Sequence, residues 1–366
     1  MSTHGPMPRS AWIFPALAVL LFAAATALHY DFVPSPAGLV FAAVLLVILF
    51  GTVFAAVHHA EVIAERIGEP FGTLLLTLAV TIIEVALIAT IMLGEKAAAT
   101  TLARDTVFAV VMIVCNGLVG ICILAGGLRY REQDIQVSGS SLYLSVLAVL
   151  ATITLIEPSY TSTTPGPVYS MGQLGFVSVV TILLYGVFLY TQTVRHRDYF
   201  VIDLGDASDK GAHASNWTMA LSAVLLLVSL LAVVLLAKKF SLVVDAGTAL
   251  IGAPPAFAGI VVALLILLPE SIAAINAARN NDLQKSINLA LGSSLATIGL
   301  TIPAVAVAAY VLEKQLVLGL PVIDIVLLAL TFVVAMLTLG TGRTNILFGL
   351  VHLVVFAVFI FLVFVP

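Results

Sequence analysis

Residues 70–93 read PFGTLLLTLAVTIIEVALIATIML, a run without a basic residue and with one charge, Glu84, near its middle. Crossing about 30 Å of hydrocarbon takes roughly 20 consecutive apolar residues in a helix, so this stretch is predicted to span a membrane with a carboxylate at mid-depth. Such a carboxylate costs roughly 2.5 to 3.5 kcal/mol on insertion scales, which is why it is seldom left facing lipid. Thr73, Thr77, Thr81 and Glu84 follow one another at helical spacing and stack on one face. That stripe can line a polar path; the alternative is a set of threonines bonded back to their own helix.

The same reading extends over the whole chain. Of 366 residues, 61% are apolar and 9% are charged, and the mean hydropathy is +1.19, far outside the soluble range. Backbone groups in lipid must pair internally, so the fold class expected is an all-α polytopic membrane protein. Apolar runs predict eleven spans, near 11–28, 37–58, 70–93, 105–127, 140–156, 171–193, 217–237, 256–278, 285–312, 321–339 and 344–364. The first run is too long for a signal-peptide core and has no clear cleavage site, so it is expected to stay as a span. The formal net charge of −4 comes with no basic stripe, which excludes a nucleic-acid binder. Cys115 and Cys122 are seven residues apart on one predicted helix, about 10 Å along its axis and too far for a disulfide.

Lys and Arg sort unevenly across the loops. Arg9, Arg66, Arg129, Arg131, Arg195, Arg197, Lys210, Arg279, Lys285 and Arg343 fall on the side of the N-terminus. The N-terminus is therefore expected in the cytoplasm and the C-terminus outside, in a multi-pass protein of the cell inner membrane. The polar stretch 195–216 carries Asp198, Asp203, Asp206 and Asp209 among Gly and Ser and reads as a flexible cytoplasmic linker. The expected domains are a tail with an accessory helix (1–36), a first five-helix repeat (37–194), the linker (195–216) and a second repeat (217–366). A unit with an odd number of spans inserts its copy upside down, and inverted repeats hold transported substrate near the midplane.

The repeat leaves a trace. The third span has Glu84 in TIIEVALI, and the eighth has Glu270 in LLPESIAAI. Each is followed by a span with small and polar residues: Asn116, Gly117 and Gly120 in one, Gly292, Ser293, Ser294, Thr297 and Thr301 in the other. Pro269 removes a backbone donor, so the carbonyl of Leu265 loses its usual helical partner. A freed carbonyl beside a carboxylate suits a hard cation such as calcium, sodium or potassium. Burial disfavours the charged form of a carboxyl and an arriving cation favours it, so proton and metal compete for the same oxygens. The two glutamates are expected to approach each other near the midplane; two carboxylic acids with packing roles are the bland alternative. His58 and His59 are adjacent at a span end and His352 is isolated, so no zinc spacing exists and these histidines read as interfacial or packing residues. Arg343, in the GTGRTN turn, reads as a topology anchor or a gate contact, and Glu69 as a helix cap, with a role in cation entry from the cytoplasm as the alternative.

At this point the chain resembles the cation/calcium exchanger superfamily, and within it the calcium/proton antiporters. ERIGEPFGTLLLTLAVTIIEVALI (65–88) is similar to the first alpha-repeat, with Glu84 at the ion-binding glutamate. PESIAAINAARNNDLQKSINLALGSSLATIGLTIP (269–303) is similar to the second, matching its glutamate at Glu270 and its Gly-Ser-Ser at Gly292 to Ser294. GEPFGT, PES, LATIGLTIP and GTGRTNILFG resemble the ChaA-type subfamily of sodium-potassium or calcium/proton antiporters. Thr81 and Leu267 stand where the family pattern has asparagine, and Ala296 where it has glutamine; Asn116 matches an asparagine of the first repeat. The resemblance implies eleven helices, one accessory and two inverted sets of five. It implies a secondary antiporter working by alternating access, with Glu84 and Glu270 on the metal and Thr81, Asn116, Ser293 and Ser294 as further ion or proton ligands. The partners implied are metal cations, protons and the lipid bilayer, with no cofactor. An intramembrane enzyme using paired carboxylates and a passive cation channel are the competing readings. The enzyme lacks support from any Gly-x-Ser-x-Gly or His-Glu-x-x-His motif, and a channel has no need of the inverted repeat.

Overall fold

The computed structural model describes residues 7–30, 32–33, 35–68, 71–93, 98–200 and 216–365. Glu69 and the linker residues Asp203, Asp206, Asp209 and Lys210 lie outside the described residues. Eleven helices among those described are long and apolar enough to cross a membrane. They are α1 (Ser10–Ala27), α2 (Pro36–Ile67), α3 (Phe71–Met92), α4 (Thr100–Tyr130), α5 (Val137–Ser159) and α6 (Met171–Arg195). After the linker come α7 (Asn216–Leu250), α8 (Ala256–Arg279), α9 (Leu283–Val311), α10 (Val322–Leu339) and α11 (Ile346–Phe364). The set is one accessory helix, α1, and two inverted repeats, α2–α6 and α7–α11.

Local chemistry sets several ends. Ser35 caps α2, accepting from the Gly38 amide at 3.1 Å, with Pro36 in the first turn. Ser170 and Gln173 form a reciprocal capping box on α6. Asp282 caps α9 through the Lys285 amide at 3.0 Å, and Asn345 caps α11 through Leu347 at 3.0 Å. Gly68 ends α2 with φ at 76°.

The first helices of the two repeats outrun their apolar stretches. α2 has 32 residues and α7 has 35, about 48 and 52 Å at 1.5 Å per residue. Hydropathy falls at His58 and at Lys238–Lys239, yet HAEVIAER has neither Pro nor Gly and FSLVVDAG has no Pro and only Gly247, so both helices continue.

The chain forms two compact units. The first gathers α1, α2, α3 and α7, so it draws on both repeats. Here α7 packs along α2 and α3, and α1 lies on α2 and α7. Gly51 admits the Phe14 ring where α1 meets α2, since a Cβ there would sit 2.2 Å from it. Arg66 at the end of α2 donates to Asn216 Oδ1 at the start of α7 at 2.9 Å.

The second unit holds α4–α6 and α8–α11, and its loops tie off at two ends. At one end, residues Glu132–Asp134 (β1) pair antiparallel with Arg343–Asn345 (β2), Gln133 opposite Thr344. Arg343 Nε donates to Asp134 Oδ1 at 2.9 Å across this ladder. Gln133 donates to the Ala278 carbonyl at 3.0 Å, Arg129 and Tyr130 donate to the Arg279 carbonyl, and Gln284 accepts from the Gln136 amide at 2.8 Å. The connections after α4, α8 and α10 therefore share one end, as an alternating chain requires. At the other end, Leu320 donates to the Leu155 carbonyl at 2.8 Å and Gly319 to the Pro167 carbonyl at 3.0 Å, joining the α5–α6 and α9–α10 loops. Arg104 belongs to that end: it pairs with Asp105 at 2.8 Å and donates to the Gly319 carbonyl at 3.2 Å.

Candidate functional site

Within the first unit, the candidate residues are on α3. Thr81 is 6% exposed and Glu84 1%, and Glu84 lies two residues, about 200° around the helix, from the exposed Ile82. The foot of α3 is pressed onto α2 at Gly72, where a Cβ would lie 2.6 Å from the Ala64 carbonyl oxygen. Glu84 Oε1 is fully enclosed by protein.

Within the second unit, Glu270 is on α8, Asn116 on α4, and Ser293 and Ser294 on α9, three helices that pack against one another. Gly259 makes the α8–α4 approach close, since a Cβ there would fall 2.7 Å from the Asp105 backbone. Glu270 is half-buried with Oε2 enclosed, Ser293 is half-buried and Ser294 is buried. Ser294 Oγ meets no hydrogen-bond partner among the described residues, so α9 presents a bare hydroxyl in the interior. Pro269 sits inside α8 and leaves the Leu265 carbonyl without its helical donor.

Each span that follows a glutamate helix is interrupted in its middle. α4 forms a π-turn over Ile113–Leu118, around Asn116, and α9 forms one over Thr297–Thr301. A π-turn inserts one residue, shifts the register of the helix faces and is frequent at functional positions; α5 and α6 carry further ones at Thr152–Ile156 and Thr191–Arg195. Gly117 and Gly299, inside these turns, let neighbouring side chains come close, with a Phe356 ring edge 3.3 Å from a Cβ at the first and Tyr185 2.7 Å from a Cβ at the second.

Asn116 is fully buried and its carboxamide is engaged at both ends. Nδ2 donates to Thr331 Oγ1 at 2.9 Å, and Oδ1 faces His352 Nδ1 at 3.4 Å. His352 Nε2 is 3.0 Å from Thr338 Oγ1. His352 is thus fully enclosed between α4, α10 and α11 and is no interfacial residue. Hydropathy offers no signal for this contact: His352 and Asn116 are 236 positions apart. Among the described residues no group of three or more His, Cys, Asp or Glu could hold a metal. Each unit by itself carries a carboxylate and neutral oxygens, Glu84 and Thr81 in the first and Glu270, Asn116, Ser293 and Ser294 in the second, the kind of donor that suits hard ions.

A family model described as sodium/calcium exchanger protein matches residues 35–194 and 221–365. The chain belongs to that family. The two matched blocks hold α2–α6 and most of α7–α11. The y4hA protein of Sinorhizobium fredii is 44% identical over 365 residues, covering 100% of this chain and 98% of its own. The sodium-potassium/proton antiporter ChaA of Escherichia coli is 38% identical over 327 residues, 87% of each chain. Among solved structures, native YfkE superposes with a TM-score of 0.71 at 19% identity, over 97% of this chain and 100% of that one. That likeness establishes the fold.

Proposed function

We propose that this chain is a secondary antiporter that exchanges a metal cation, calcium and/or sodium or potassium, for protons across the cell inner membrane. Glu84 and Glu270 are the groups that trade cation for proton, and Thr81, Asn116, Ser293 and Ser294 are the neutral ligands beside them. The observation that carries this reading is the recurrence of one arrangement in both repeats: an enclosed mid-span glutamate, then a helix broken by a π-turn. Membership in the exchanger family and the 38% identity to a sodium-potassium/proton antiporter support it.

The chemistry follows from charge. An ionised carboxylate in the membrane interior is expensive unless a cation or a proton neutralises it. Glu84 and Glu270 are then stable in two forms, protonated or cation-bound, and the protein that moves between its faces in either form couples the two flows. Alternating access by rocking of helices around a fixed site is the motion this implies. On this reading the N-terminus lies in the cytoplasm and the C-terminus outside, with domains at 1–36, 37–194, 195–216 and 217–366.

Purified protein in liposomes with a trapped pH dye tests the reading. With an inward-acid gradient imposed, adding calcium, sodium or potassium outside should release luminal protons, and the three half-saturating concentrations rank the substrates. A cation flux that proceeds at the same rate without any proton movement refutes antiport and makes the protein a channel.

A further inference from the structure

The hydrogen bonds around Asn116 have one self-consistent direction. Thr331 Oγ1 lies 2.8 Å from the Leu327 carbonyl, one turn back on α10, which can only accept; the hydroxyl proton goes there. Thr331 Oγ1 is therefore the acceptor for Asn116 Nδ2, and that fixes the carboxamide with Oδ1 toward His352. Oδ1 can only accept, so Nδ1 carries the ring proton. A neutral imidazole then has Nε2 as its acceptor, and Thr338 donates to it. The chain runs Thr338 to His352 to Asn116 to Thr331 to Leu327, starting and ending on α10 and passing through α11 and α4. All four side chains are at most 1% exposed, so water does not compete for these bonds.

We infer that His352, oriented by Thr338, is a positioning residue that holds the Asn116 carboxamide with its oxygen available to the transported cation. This rests on the reading of Asn116 as an ion ligand. An amide oxygen has two lone pairs; the Nδ1 proton takes one and leaves the other for the ion. Without the histidine, the carboxamide loses one of its two anchors, and only the Thr331 bond opposes its turning over about its last torsion to present Nδ2, a donor that repels a cation. The cost falls on cation binding, since the carboxylates that exchange the proton are untouched.

The test uses the full-length protein in liposomes and reads the apparent KM for calcium and for sodium, with maximal rates and melting temperatures alongside. His352→Leu and Thr338→Val should each raise the KM about 10-fold with the maximal rate within about 2-fold of wild type, while His352→Gln and Thr338→Ser, which keep a donor and an acceptor or the hydroxyl, stay within about 3-fold. In an Asn116→Ala background, which should itself raise KM, His352→Leu should add nothing. If Asn116→Ala leaves KM unchanged, the ligand reading of Asn116 fails and the inference falls with it. If Asn116→Ala raises KM and the His352→Leu and Thr338→Val variants do not, the inference alone is overturned. Effects of His352→Leu that simply add to those of Asn116→Ala also overturn it, because they mark ordinary packing. Should His352→Leu fail to fold, Thr338→Val against Thr338→Ser decides the matter with no change of volume at the first and only a methyl lost at the second.

Discussion

The crossing of α4 and α11 is a backbone-to-backbone contact between two glycines, and it brings His352 to Asn116. A Cβ on Gly349 would lie 2.9 Å from Leu124 N and 3.0 Å from the Gly120 carbonyl oxygen; one on Gly120 would lie 3.0 Å from the Gly349 carbonyl oxygen and 3.1 Å from His352 Cβ. These distances fall at least about 0.4 Å short of a comfortable contact, and backbone cannot swing aside as a side chain can. Gly349→Ala should therefore push α11 off α4 and stretch the Asn116–His352 bond, already 3.4 Å, beyond hydrogen-bonding range. Overpacking of this kind costs about 1 to 3 kcal/mol. Replacing a helical glycine by alanine also gains up to about 1 kcal/mol from helix propensity, which must be removed from the comparison. Gly186 on α6 supplies the control, because nothing lies within 4 Å of a Cβ there. The expected result is that Gly186→Ala melts at or above wild type and Gly349→Ala lies about 1 to 3 kcal/mol below Gly186→Ala, a gap of roughly 1 to 4 °C for a chain of this size. Melting of the purified proteins in one detergent at one scan rate measures the gap. A Gly349→Ala protein as stable as Gly186→Ala, with unchanged cation KM, would refute the close crossing and its link to the site.

Other outcomes follow from the same structure. Arg104 and Asp105 form an ion pair with side chains only 15% and 9% exposed, so Arg104→Gln leaves a buried carboxylate without its cation and should cost about 3 to 5 kcal/mol in a melt, whereas an Arg104→Gln, Asp105→Asn pair should recover much of the loss. Arg343→Gln removes an exposed pair with Asp134 and should change stability by no more than about 1 kcal/mol, seen in the same melt. A reporter fused to the C-terminus should respond outside the cytoplasm; a cytoplasmic signal alone would overturn the topology.

The membrane-spanning pattern is written in hydropathy, which is why all eleven helices fall within a few residues of the apolar runs wherever a run ends on a glycine or a loop. Hydropathy does not mark where a helix ends in water, so the extra turns of α2 after His58 and of α7 after Lys239 were not legible. Glu84 and Glu270 stand out because a charge in an apolar run is costly, and their matching places expose the repeat. The π-turns leave no such trace: a shift of one hydrogen bond changes neither composition nor period. The role of His352 was hidden for another reason. Its partners Asn116, Thr331 and Thr338 come from α4 and α10, and their meeting is a property of helix packing. The β1–β2 ladder, three polar residues on each side, lacks the alternation that reveals a strand.

The central claim is that proton and cation occupy the same carboxylates, and the pH dependence of cation affinity tests it most directly. An empty site with no net charge holds both glutamates protonated, so a divalent ion must displace two protons to leave the site neutral, and a monovalent ion one. Initial exchange rates on reconstituted protein, titrated with calcium and with sodium or potassium across a pH series, give apparent affinities. In the pH range where the empty site keeps its protons, log affinity should change by nearly two per pH unit for calcium and nearly one for a monovalent ion, weakening as pH falls, and Glu84→Gln and Glu270→Gln should abolish exchange while the proteins still fold. A calcium affinity independent of pH throughout the range where the protein stays folded, or full exchange in both single variants, would contradict it.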